Sequence, residues 1–175
     1  MSERWDRHFL GMALYHARMS KDPSTRVGAV IVGPDRELIA AGFNGFPRGI
    51  ADTPERLNNR ELKYQLVVHA EMNAALYAAR KGVALKGSSM YLAAYSYANG
   101  RVWGGAPCNR CTVELIQAGI DEVVSYPLDD MLPPQWKASC HEGEQLLAEA
   151  GIKFRILPRG PELSVVSLPH FAEAA

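Results

Sequence analysis

The chain has little cysteine, no net charge and no long apolar run. Three cysteines in 175 residues are too few for a disulfide framework, which points to a reducing compartment. Lysine plus arginine equals aspartate plus glutamate, 19 against 19. No field of one sign therefore spreads over the surface to gather nucleic acid or an anionic membrane. A local basic pocket remains compatible with that balance. The longest apolar stretches, such as "VGAVIV" at 27–32, reach about a third of a membrane span. The opening "MSERWDRHFL" mixes both charges and lacks the apolar centre of a secretory signal. Internal repeats, low-complexity tracts and linkers are also missing. These absences predict a soluble cytoplasmic protein folded over 1–175 as a single domain, with a frayed tail from about 158.

What is present is an alternation of strand and helix signals. Trp5, Phe9, Met12, His16 and Met19 fall at steps of three and four, one stripe of an amphipathic helix over 3–19. Two apolar runs, 27–32 and 38–43, flank the turn "GPDRE" and read as a β-hairpin. The Gly-, Pro- and Asn-rich segment 44–62 reads as a long loop. Beyond it the pattern predicts a helix over 70–81, a strand over 88–95, a helix over 108–119 and a strand over 120–126. A loop "PLDDMLPPQW", a helix over 141–151 and a strand over 152–157 complete the chain. Alternation after an initial hairpin indicates an α/β fold with a mixed sheet.

Two of the three cysteines, Cys108 and Cys111, stand in "APCNRCTVEL". A Cys-x-x-Cys pair opening a helix after a strand fits a redox dithiol. It also fits a zinc site. A structural Cys₄ site fails by count, because only Cys140 is left. A catalytic zinc needs three protein ligands and an open position. One histidine would complete it. His8 and His16 lie on the first helix, His141 opens a late helix and His170 sits in the tail. His69 differs: it starts a helix, with Glu71 two residues on. Helix N-termini carry partial positive charge, which helps hold thiolates. His69-Ala70-Glu71 followed by Pro107-Cys108-x-x-Cys111 is the zinc-deaminase signature, in which the glutamate is the acid/base and not a ligand. A redox reading leaves His69 and Glu71 without a task.

On these motifs the chain resembles the deoxycytidylate (dCMP) deaminases of the cytidine deaminase superfamily. The likeness runs from the first helix to about Leu157, through "KDPSTRVGAVIV", "AGFNGFPRG", "HAEMNA", "SSMYLA", "PCNRC" and "LIQAGIDEVV". "GFNGFPRG" favours the dCMP branch over the tRNA-adenosine branch, which is usually more basic. The resemblance implies a three-layer α/β/α fold with a five-stranded mixed sheet. It implies one zinc per chain on His69, Cys108 and Cys111, with Glu71 shuttling protons during hydrolysis of dCMP to dUMP and ammonia. Asn44 would contact sugar or base, and the pyrimidine edge would be read at the Ala70 amide and near the Ala106 carbonyl. Arg26, Lys21 and Arg48 are candidates for the 5′-phosphate, since a guanidinium fork matches phosphate geometry. A homo-oligomer is implied, as is regulation by dCTP or dTTP at the "GFNGFPRG" loop. Other small amines, a nucleic-acid base, or nucleotide binding without turnover remain alternatives.

Two departures stand out. The family passes quickly from the "SMYxA" strand to "PC", whereas "AYSYANGRVWGGA" intervenes here, an insertion at about 95–106. It reads as a hairpin turning at Asn99-Gly100. Tyr97, Arg101 and Trp103 would then stand at the mouth of the site as a lid. Ile50 replaces a cysteine that many relatives use for an extra structural metal, so a single zinc is expected.

Overall fold

The computed structural model describes residues 2–96, 101–161 and 163. Tyr97, the expected Asn99-Gly100 turn and most of the tail lie outside the described residues. The elements run α1 (Glu3–Ala17), β1 (Thr25–Val32), β2 (Leu38–Phe43), α2 (Pro54–Asn58), α3 (Arg60–Leu66), α4 (Ala70–Arg80), β3 (Ser88–Ser96), β4 (Val102–Trp103), α5 (Asn109–Ala118), β5 (Ile120–Ser125), α6 (Pro134–Glu149) and β6 (Lys153–Ile156).

The sheet order is β2-β1-β3-β5-β6, with β4 paired to β3. β1 is antiparallel to β2 and β3, while β3, β5 and β6 run parallel. This is the expected mixed sheet with one addition. β5 pairs with β3 only as far as Leu92. The two-residue β4 takes the same edge beyond it, setting Trp103 opposite Ala94 and Val102 opposite Tyr95. β4 is the return arm of the insertion.

Alternate residues of the central strands point to opposite faces, and both faces are covered. Val30, Val32, Tyr91 and Ala93 pack under Phe9, Leu10, Ala13 and Leu14 of α1. Ala29, Ile31, Met90 and Leu92 pack under Ala70, Ala74 and Ala78 of α4, with Leu115 and Leu147 from α5 and α6. Three layers result. Burial on both faces explains why "VGAVIV" is apolar without alternation.

Three sequence expectations are corrected. The buried face of α1 is Asp6, Phe9, Leu10, Ala13, Leu14 and Ala17, while Met19 is 57% exposed. Counting large apolar side chains rotated the stripe away from the small alanines on which the helix rests. The supposed long loop holds two short helices, α2 and α3. Pro54 starts the first, and the Asn59 side chain caps the second by accepting from the Leu62 amide at 3.1 Å. Helix α6 begins at Pro134, well before His141, because proline at a first turn needs no helical donor.

Asp6, 1% exposed, is the polar residue buried under α1. Its carboxylate accepts from the Tyr91 hydroxyl at 2.8 Å and from both terminal nitrogens of Arg155 at 2.9 and 3.0 Å. The Arg155 Nε donates to Glu122 at 2.8 Å. One carboxylate thus ties α1 to β3 and β6. Burial and the neighbouring carboxylate push the Tyr91 hydroxyl well above its ordinary range, so it stays a donor. Asp6→Ala leaves a buried hydroxyl and a partly buried guanidinium unpaired, and costs about 3 kcal/mol. A denaturant titration against the parent protein checks it.

Candidate active site

The residues singled out by sequence meet at the ends of two helices. α4 lies directly on β2 at Gly42, where an added Cβ would come within 2.5 Å of the Ala70 carbonyl oxygen and of the Ala74 nitrogen. The Asn73 side chain donates to the Phe43 carbonyl at 2.7 Å and locks the same contact. Ahead of the helix, Val68 exchanges backbone hydrogen bonds with Gly45 at 2.8 and 3.1 Å. His69 is the extended N-cap residue, and Glu71 falls in the first turn.

The thiols are fixed from the other side. Cys108 is the N-cap residue of α5, and Cys111 is one turn in. A Cβ at Gly143 would lie 2.1 Å from the Pro107 oxygen, so α6 can pack against the proline only where a side chain is missing. Thr112 donates from its hydroxyl to the same oxygen at 3.1 Å. The Ser139 hydroxyl on α6 bonds the Asn109 amide nitrogen and side chain at 3.2 and 3.0 Å.

These supports bring both sulfurs to 3.4 Å from His69 Nδ1. Among the described residues, His69, Cys108 and Cys111 form the one group able to hold a metal, their ligand atoms within 4.8 Å of one another. The set fits zinc. Zinc bonds of about 2.3 Å to sulfur and 2.0 Å to nitrogen, at a tetrahedral angle, separate those atoms by about 3.5 Å. Two soft thiolates and one imidazole leave the fourth position open, as a catalytic zinc requires.

The electrostatics of the cluster suit a cation. Hydrogen bonds from Cys111 and His69 hold Cys108 well below the ordinary thiol range, against its burial. Sharing with Cys108 and burial push Cys111 up. The bond to Cys108 raises His69 to about 9, opposed by burial and helped by Glu71. A divalent cation replaces these shared protons. Glu71 is 5% exposed, and burial raises its carboxyl above the usual range against the pull of His69.

A cavity of about 470 Å³ opens over the cluster. His69, Glu71, Cys108 and the expected Asn44, Ala70 and Ala106 all line it. Asn44 spends its amide on the edge of β1, accepting from the Val27 amide at 2.8 Å and donating to the Thr25 carbonyl at 3.0 Å. From the insertion, Trp103 lines the cavity, while Arg101 reaches Asp129 at 2.5 Å.

The three phosphate candidates are not brought to this cavity. Arg26 is buried, donating to the carbonyls of Asp22 and Arg18. Lys21 pairs with Asp52 at 3.1 Å, and Arg48 sits over the Tyr77 ring. Lys21 and Arg48 line a second cavity of about 350 Å³ instead. Sequence reasoning missed Arg60, Lys63, Tyr64, Trp136 and Cys140, which do line the first. Each lies on α3 or on the early turns of α6, in segments read as loop or bordering it.

Comparison with known proteins agrees with the fold and the cluster. A family model for the cytidine and deoxycytidylate deaminase zinc-binding region matches residues 3–126. An uncharacterized deaminase from the luxG 3′ region of Aliivibrio fischeri is 32% identical over 158 residues, 90% of this chain and 97% of its own. Deoxycytidylate deaminases of mouse and human are each 38% identical over 125 residues, 69% of this chain. The match takes in 63% of each of those mammalian proteins, somewhat less than two thirds of their length. The crystal structure of a dCMP deaminase from the cyanophage S-TIM5, in complex with dCMP and dUMP, superimposes with a TM-score of 0.67. It is 20% identical, covering 90% of this chain and 99% of its own. Fold and site define a zinc-binding deaminase domain. The chain belongs to the cytidine and deoxycytidylate deaminase family.

Metal analysis of the purified protein should give about one zinc per chain, as a site with three protein ligands implies. Cys108→Ala should retain almost none. Gly143→Ala, which touches no ligand, should lose zinc to a chelator faster than the parent, because α6 no longer seats Pro107.

Proposed function

We propose that this chain hydrolyses dCMP to dUMP and ammonia. The observation that carries the proposal is Glu71, a shielded carboxyl group two residues from the ligand His69, in the floor of a cavity of about 470 Å³. That volume suits a mononucleotide. The mouse and human relatives named as deoxycytidylate deaminases support the choice of substrate.

His69, Cys108 and Cys111 would hold the zinc. When bound, zinc supplies Lewis-acid activation of water, lowering its pKa toward neutrality. Glu71 would take one proton from the attacking water and give it to ring N3, then take the proton left on the oxygen added at C4 and deliver it to the departing amine, so that the C4–N bond breaks and ammonia leaves. One carboxyl group acts as both base and acid, which demands a pKa near the working pH. Burial moves Glu71 in that direction. Ala70 and Ala106 line the same cavity, where the amide of the one and the carbonyl of the other would orient the pyrimidine edge.

The coarser features of the setting belong to the same proposal. Among the described residues no helix is long and apolar enough to cross a membrane, and a cytoplasmic location fits the free cysteines. Self-association is supported by exposed Leu76 and Tyr77 on α4 and Val113 on α5. Regulation by dCTP or dTTP would use the second cavity, which the "GFNGFPRG" loop lines.

Glu71→Ala should keep its zinc and lose about 10²- to 10⁴-fold in kcat on dCMP, the usual weight of general acid–base catalysis. Ammonia release alongside metal content measures both. Turnover near the parent rate would remove the assignment.

A further inference from the structure

We infer that Arg60 recognises the 5′-phosphate and sets the preference for nucleotide over nucleoside. The inference rests on the deaminase reading above and deepens it. A phosphate in the catalytic cavity needs a cation on its wall. Apart from His69, the cationic residues lining that cavity are Arg60 and Lys63.

Lys63 is already committed. Its Nζ lies 3.1 and 3.3 Å from the two carboxylate oxygens of Asp22, and both side chains are 11% exposed. Asp22 also accepts from the amides of Ser24 and Thr25 at 2.8 and 3.1 Å. An arriving phosphate would have to break a buried, hydrogen-bonded pair, which is unfavourable.

Arg60 is the opposite case. Its side chain is exposed, and among the described residues no carboxylate pairs with it. The guanidinium lies over the Tyr64 ring at 5.4 Å, and Nε donates to the Tyr64 hydroxyl at 3.2 Å. Nε is thus spent on the platform, which leaves the terminal N–H groups as a fork for two phosphate oxygens. Tyr64 in turn meets Trp136 edge-on at 6.0 Å, and Trp136 meets the ligand His69 at 6.2 Å. A row of aromatic rings therefore leads from the metal cluster to the cation. Such a wall suits a flat base near the metal and a charged group at the far end.

The test is steady-state kinetics on dCMP and deoxycytidine with the zinc-loaded parent, Arg60→Ala, Arg60→Lys, Lys21→Ala and Arg48→Ala. Arg60→Ala should raise KM for dCMP about 10- to 100-fold, the weight of a charge-assisted pair. Its kcat, its zinc content and its kinetics on deoxycytidine should stay unchanged. Arg60→Lys should recover part of the loss, because charge survives and the fork does not. Equal effects on both substrates, or no effect on either, overturn the inference. A selective rise in KM from Lys21→Ala or Arg48→Ala instead overturns it as well. A parent that treats the two substrates alike removes the phosphate preference but leaves the deaminase reading standing. A parent that releases ammonia from neither removes both.

Discussion

The site depends on two helices lying closer to their neighbours than a methyl group permits. Gly42 lets the first turn of α4 rest on β2, and Gly143 lets α6 rest on Pro107. The first contact fixes the imidazole and the second fixes the thiols. A sulfur-to-nitrogen separation of 3.4 Å leaves little tolerance, since a misplacement of about 1 Å is enough to spoil a reacting geometry. Precision in the cluster is therefore inherited from backbone packing around it, not from the ligands themselves.

The two sides of the sheet divide the polar work. On the α4 side, burial raises the Glu71 carboxyl above its ordinary range, beside buried Asn44 and Thr112 that are held by hydrogen bonds. On the α1 side, Asp6 is fully satisfied by Tyr91 and Arg155. A satisfied network rigidifies the sheet without adding reactivity. The sheet can then serve as a stiff plate on which the desolvated face is mounted.

The legible part of the molecule was whatever the chemistry ties to adjacent residues. His69 with Glu71, and Cys108 with Cys111, announce themselves because a helix start places neighbours in one small volume. Strand runs such as 27–32 were legible because double burial leaves them uniformly apolar. What could not be read depends on contacts between distant segments. The resting face of α1 mixes Phe9, Leu10 and Leu14 with two alanines and a buried aspartate, so a stripe drawn through the largest side chains is rotated away from it. The wall made by α3 and α6 was hidden because Asn59 and Pro134 mark helix starts inside stretches whose composition is that of a loop. Arg26, Lys21 and Arg48 matched the required residue type, yet their places were decided by Asp22, Asp52 and Tyr77.

The described return arm of the inserted segment has three anchors. β4 pairs with β3, Arg101 reaches Asp129, and the Arg159 Nε donates to the Val102 carbonyl at 2.8 Å. Asp129 belongs to the stretch between β5 and α6, and Arg159 follows the last strand. The wall carrying Trp103 is thus knitted to segments that contain none of the metal ligands. A change in that wall would act first on the shape of the cavity, through anchors separate from the cluster, and would reach the thiols only along the backbone from Gly104 to Pro107.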